Sequence, residues 1–152
     1  RLIMTKKSIE DMANFIVDDR EIKRGGKSYA HESIKDISIE NPKAKLYCII
    51  GDDLLKTIDS WKSFEEIIKL CNILVTRRVG YSNTHLNNKI SHYITENESV
   101  FHDASCGKIL VENTSIVNIS SKEIRYRLKN NQSVSGLVNV NLEKWLVKNK
   151  IY

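Results

Sequence analysis

The apolar positions of this chain fall into a few short runs separated by longer amphipathic stretches. KLYCII (45–50) is nearly continuous in apolar and β-branched residues, and so are NILVTRR (72–78) and KILVE (108–112). Runs of four to eight such residues fit strands buried on both faces of a parallel sheet. Between the first two lies SFEEIIKLC (63–71), whose apolar residues recur at helical spacing. Residues 1–12 read as a helix, NFIVDD (14–19) as a short strand, and EIKRGGK (21–27) as a turn punctuated by Gly25-Gly26. Ser28 is placed to cap a helix running to about Ile39 and ending near Pro42. The polar stretch 79–107 holds a helix around 84–96, and two further helices are expected over about 121–130 and 142–149. Strand–helix alternation on this scale predicts a single α/β domain over 1–152, a Rossmann-like, mainly parallel sheet flanked by helices.

Composition narrows the class. A hydrophobic content of 41% and a charged content of 28% suit a globular protein, and one Pro with 6 Gly leaves no linker-rich segment. No apolar run approaches the length of a membrane span. The net charge of +5 favours anionic partners, but cations alternate with acids and no long run of like charge occurs, which argues against nucleic acid. Cys48, Cys71 and Cys106 lack C-x-x-C spacing, and His31, His85, His92 and His102 are scattered. Structural thiols in a reduced, cytoplasmic protein are expected, and no protein-held metal. RLIMTKKSIEDMA carries no helix start signal and does not begin with Met, so a segment upstream is expected.

Open parallel sheets bind ligands beyond the carboxyl ends of their strands. Three strand ends here carry chemistry. The first offers Gly51, Asp52 and Asp53: glycine lets a ligand approach the backbone, and a carboxylate can accept from ribose hydroxyls. The second offers Arg77-Arg78, able to grip phosphate through paired donors. The third is VNISSKEIRYRL (117–128), where Ser120 and Ser121 open a helix followed closely by Lys122 and Arg125. A helix start repels cations by about 0.3–1 kcal/mol each at an exposed site. A phosphate bound there would turn that repulsion into attraction. Two accounts stand on the local sequence: a phosphate seat, or cations that point into solvent. Tyr29 and Trp61 flank strand ends and could stack on a flat ring or pack beneath loops.

Taken in order, GGKSYAHESI, YCIIGDDLLKTIDSWKSFEEI, LVTRRVGY, VNISSKEIR and the closing WLVKNKIY resemble the bacterial nicotinate-nucleotide adenylyltransferases, within the nucleotidyltransferase α/β phosphodiesterase superfamily. The resemblance spans nearly the whole chain. The I-S-S-T-x-I-R type of motif marks the superfamily, and the S-Y turn with G-D-D…W is more specific. The resemblance implies transfer of the adenylyl group of ATP to nicotinate mononucleotide in NAD biosynthesis, giving deamido-NAD and pyrophosphate, with Mg²⁺ carried by ATP. It places Trp61 on the pyridine ring, and Tyr29 with the backbone at Ala30 and Lys62 around the pyridine carboxylate. It places Asp53 on a ribose or polar edge and Arg78 on phosphate. Gly51, Ile119, Ser120, Ser121, Lys122 and Arg125 fall on the ATP side.

Four departures from the family pattern stand out. Ala30 replaces the Thr of S-Y-T, Lys122 replaces the Thr of I-S-S-T, and Val79 replaces the Pro of R-P-G-Y. The family's histidine motif, H-x-G-H on a first strand, is absent from these residues. The chain therefore reads as the C-terminal three-quarters of such an enzyme, without catalytic residues of its own and inactive alone. Two other readings compete: a catalytically dead nucleotide-binding or interaction domain, and a sister adenylyltransferase acting on pantetheine phosphate.

Overall fold

The computed structural model describes residues 1–77, 88–113 and 119–152, with the side chains at 88 and 113 excepted. In chain order the helices are α1 (Leu2–Ser8), α2 (Arg20–Arg24), α3 (Ala30–Glu40), α4 (Asp52–Leu55), α5 (Phe64–Leu70), α6 (Asn88–Ser91), α7 (Glu98–Asp103), α8 (Ser121–Lys129) and α9 (Val140–Asn149). The strands are β1 (Tyr47–Gly51), β2 (Asn72–Arg77), β3 (Ile94–Thr95) and β4 (Ile109–Asn113). The chain divides into two compact units, Arg24–Ile116 and Arg1–Lys23 with Val117–Tyr152. Among the described residues no helix is long and apolar enough to cross a membrane.

The larger unit holds a four-stranded sheet in the order β1-β2-β4-β3. Every pairing is parallel, with Ile50 beside Val75, Val75 beside Val111, and Ile94 beside Ile109. The expected α/β class and parallel sheet are therefore present. One face of the sheet carries the core: Ile50, Ile73, Val75 and Ile109 meet Phe64, Ile67 and Ile68 of α5. Those three helical positions recur at the three- and four-residue spacing that puts side chains on one face.

Asn72 is a polar residue within this core, and it is fully buried. Its Nδ2 donates to the Ala104 carbonyl at 2.9 Å, and its Oδ1 accepts from the Lys108 backbone N–H at 2.9 Å. One side chain thus satisfies both ends of the segment leading into β4. The burial cost of an amide is offset only when its partners are present.

Several expectations are corrected. KLYCII is not covered on both faces, for Ile49 is 66% exposed and Tyr47 is 40% exposed. A continuous apolar run reports strand propensity, not how many layers cover it. Ser28 does not cap α3: Tyr29 holds the cap position in extended backbone, without a side-chain cap bond. The span 21–27 is not all turn, because α2 occupies its first part before Gly25 and Gly26 at positive φ. In place of one helix over 84–96, the described residues show α6, the short strand β3 and the start of the segment leading to α7.

The smaller unit pairs α1 with α9. Asn141 Nδ2 on α9 donates to Asp11 Oδ1 at 2.7 Å. Val134 and Leu146 are its buried apolar residues. Residues 14–19 form no strand, and Phe15 and Ile16 are 64% and 94% exposed. Among the described residues nothing pairs with this segment, and a strand without a ladder has no partner for its backbone groups. Asp18 instead accepts from the Arg20 backbone N–H at 2.9 Å, at the start of α2. That bond, with the neighbouring guanidinium, holds the Asp18 carboxyl below the usual carboxylate range.

Candidate functional site

In the larger unit a cleft of about 370 Å³ is lined by Ser28, Tyr29, Ala30, Ser60, Trp61, Lys62 and Ile67. Four sequence-predicted residues, Tyr29, Ala30, Trp61 and Lys62, thus come together although about thirty positions separate the two pairs along the chain. Local structure explains how. Gly25 and Gly26, at φ +70° and +66°, form the turn between α2 and α3. Tyr29 then stands at the start of α3, its carbonyl accepting from Glu32 N–H at 3.0 Å. On the other side, Trp61 N–H donates to the Ile58 carbonyl at 3.0 Å, and the Trp61 carbonyl accepts from Phe64 N–H at 3.1 Å. Trp61 is held from both directions. Ala30 and Trp61 pack against the core, and the fully buried Ile67 forms the floor.

The cleft is apolar in its walls and charged at its rim. Lys62 Nζ stands 4.1 Å from the centre of the Tyr29 ring, and Lys27 Nζ stands 5.1 Å from the same centre. Glu32 Oε1 lies 3.5 Å from Lys62 Nζ, and its Oε2 lies 3.3 Å from Arg24. Sequence reasoning did not place Glu32, Lys27, Ser60 or Ile67 at the site, and it read Ser28 as a helix cap. The detectable signal was Glu32 in the first turn of a helix that begins at Tyr29. A flat aromatic ligand with a negative group suits this mixture of π-faces and ammonium groups.

At the carboxyl end of β1, the chain enters α4 directly from Gly51. A β-carbon at Gly51 would meet Asp53 Oδ1, so the bare glycine lets that carboxylate rest against the strand end without moving aside. Asp53 is exposed and available to a ligand, whereas Asp52 is buried at 8% exposure. Asp52 Oδ1 has no hydrogen-bond partner among the described residues. Arg77 ends β2, and Arg78 lies outside the described residues.

In the smaller unit α8 begins as expected. Ser120 is the cap residue, and its Oγ accepts from the Glu123 backbone N–H at 3.1 Å. Glu123 supplies the acid that a first turn favours and binds Arg127 Nε at 2.7 Å one turn on. Ser121, Lys122 and Arg125 are exposed, and Ile119 is half-buried. Neither Lys122 nor Arg125 has a side-chain partner among the described residues, so both cations are free to meet an anion.

No family model matches the chain. Individual proteins do. A probable nicotinate-nucleotide adenylyltransferase of Clostridium botulinum is 34% identical over 152 residues, covering the whole chain and 71% of that protein. A protein of the same description from Fusobacterium nucleatum is also 34% identical, over 99% of this chain and 72% of its own length. Among solved structures, Plasmodium falciparum nicotinic acid mononucleotide adenylyltransferase complexed with APC superposes with a TM-score of 0.61 at 16% identity. That match covers 95% of this chain and 70% of the other. The same enzyme complexed with NaAD gives a TM-score of 0.60. These two structural likenesses establish the fold, and the full-length identity to the bacterial proteins goes further: the chain belongs to the nicotinate-nucleotide adenylyltransferase family.

Proposed function

We propose that this protein serves in the transfer of the adenylyl group of ATP to nicotinate mononucleotide, in the cytoplasm. In that reaction a phosphate oxygen of the mononucleotide attacks the α-phosphorus of ATP. The bond to the bridging oxygen breaks, and pyrophosphate leaves with deamido-NAD as the other product. The observation that carries the reading is the cleft, where Tyr29, Ala30, Trp61 and Lys62 form one apolar-walled, cation-rimmed slot.

Trp61 stacks on the pyridine ring, and the backbone at Ala30 and Lys62 meets its carboxylate. Loss of the family's hydroxyl at Ala30 leaves this backbone contact intact. Asp53 takes a ribose or polar edge beyond β1, with Gly51 giving the room. Arg78 neutralises phosphate. Ser120, Ser121, Lys122, Arg125 and the backbone at Ile119 seat the ATP phosphates, with Mg²⁺ arriving bound to them. Chemistry of this type depends on alignment and charge neutralisation more than on covalent help. Cations on α8 lose their conflict with the helix dipole once a polyphosphate sits between them.

The test is pyrophosphate release from ATP and Mg²⁺ with nicotinate mononucleotide, nicotinamide mononucleotide or pantetheine phosphate as acceptor. Release with nicotinate mononucleotide is the expected result from the protein that carries the family's histidine motif, with none from these 152 residues alone. Release with pantetheine phosphate alone, or with no acceptor from a cooperatively folded protein, would overturn the reading.

A further inference from the structure

The net charge of +5 resides in residues 117–152, which hold seven Lys and Arg against two Glu. Within the smaller unit these residues enclose a cavity of about 560 Å³, inside the size range of small-ligand sites. Leu128 and the buried Leu146 give it an apolar wall, and Tyr152, 45% exposed, adds a ring. Lys129 and Lys150 line it too, and neither ammonium has a partner among the described residues. The side-chain amides of Asn131 and Gln132 are equally without partners there. The cavity lies at the carboxyl ends of α8 and α9, where bare helix carbonyls would repel an anion. Those carbonyls are occupied. The Arg127 carbonyl accepts from Gln132 N–H at 2.8 Å, that of Leu128 from Asn131 N–H at 3.1 Å, and that of Val147 from Lys150 N–H at 3.4 Å. Asn131 and Lys150 make these bonds in left-handed backbone, at φ +54° and +46°. Asparagine visits that region readily, but a lysine there is strained, and such strain gathers at functional sites.

We propose that this cavity is a binding site for a nucleoside monophosphate, with the phosphate on Lys129 and Lys150 and the base on Tyr152. A phosphate monoester carries about −1.5 to −2 charges at pH 7, which two ammonium groups neutralise. An aromatic ring accepts the face of any base, and amide side chains can pair with its polar edge. A bare inorganic anion would leave the apolar wall and the ring unused, and an apolar ligand would leave two ammonium groups unmatched. The site shares no lining residue with the cleft or with the phosphate seat at the start of α8. It goes beyond the reaction proposed above and holds whichever acceptor that reaction uses.

Calorimetric titration of the full chain with AMP, ribose 5-phosphate and inorganic phosphate tests this. The forms compared are the unaltered protein, Lys129→Ala, Lys150→Gly, Tyr152→Ala and Arg125→Ala. Glycine at position 150 removes the ammonium and suits the left-handed backbone, so that variant keeps its fold. Lys129→Ala and Lys150→Gly are each expected to weaken AMP about ten-fold, and by less as salt is raised. Tyr152→Ala should weaken AMP and leave ribose 5-phosphate unchanged, and Arg125→Ala should leave this AMP binding as it was. AMP binding that is lost in Arg125→Ala but intact in the lysine variants would put the nucleotide at the start of α8 and overturn the proposal. Inorganic phosphate binding as tightly as AMP, or no AMP binding by the unaltered protein, would overturn it as well. The adenylyl-transfer reading is untouched by these outcomes, since it stands or falls on pyrophosphate release.

Discussion

Asn72 and Cys71 sit side by side at the start of β2, and each has a consequence that can be measured. Asn72→Ala leaves the Lys108 N–H and the Ala104 carbonyl without their partner. Stability should fall by about 1–3 kcal/mol for each buried group left unpaired, read as a lower urea midpoint. An unchanged midpoint would mean that water enters and replaces the amide. Burial, reinforced by the nearby Cys48 thiol, pushes the Cys71 thiol up to about 12 from an ordinary value of 9.0. The folded state then keeps a proton that the unfolded state has lost. The stability is fully present below pH 9 and declines between there and about pH 12, by at most about 1.4 kcal/mol per pH unit. Cys71→Ala should flatten that alkaline decline in urea titrations. Trp61→Ala should weaken binding of nicotinate mononucleotide in a calorimetric titration while leaving ATP affinity near its starting value. At this scale Tyr29, Trp61 and Lys62 were legible as chemistry from their residue types and their resemblance to a family pattern. Asn72 was not, since within NILVTRR it reads as the polar edge of a strand, and its partners lie more than thirty residues away.

Among the elements, α8 was legible almost to the residue. A serine before a turn containing Glu is a start signal, and Ser120 Oγ does accept from Glu123 N–H. Ser120→Ala should destabilise the protein by about 1 kcal/mol in thermal or urea unfolding. Arg125→Ala is expected to do the opposite kind of damage. The exposed cation leaves without cost to the melting temperature, while ATP binding weakens, as a titration with a non-hydrolysable analogue would register. Equal ATP affinity in Arg125→Ala would return the basic helix start to a solvent-facing role. The failures among the elements share one cause. NFIVDD has strand propensity, and Ser28 has the chemistry of a cap, but each needs a neighbour in space. No ladder partner reaches 14–19 among the described residues, and the chain enters α3 one residue after Ser28, at Tyr29.

Among the described residues the sheet order leaves β1 at an edge, with Ile49 on the face away from the core. An exposed apolar edge is a template for pairing with another chain. Ile49→Lys should therefore lower light scattering of concentrated protein while preserving the cooperative melt. Equal scattering would place the adhesive surface elsewhere. The parallel, α/β character of the sheet was readable from strand–helix alternation, because parallel strands need crossover helices. The order β1-β2-β4-β3 and the insertion of β3 at the far edge were not, since β3 is only two residues long and carries no run of its own.

The sequence by itself determined the alternation of elements, the helix start at Ser120 and the residue types of a nucleotide site, because propensity, capping and charge act over a few neighbouring residues. Tertiary structure alone decided which sheet face is covered, that Asn72 serves as an internal polar tie, and that Lys62 lies on the Tyr29 ring beside Glu32. Those outcomes depend on which distant segments share space, and hydrogen bonds, desolvation and cation–π contact exist only once packing has brought the partners within a few ångströms.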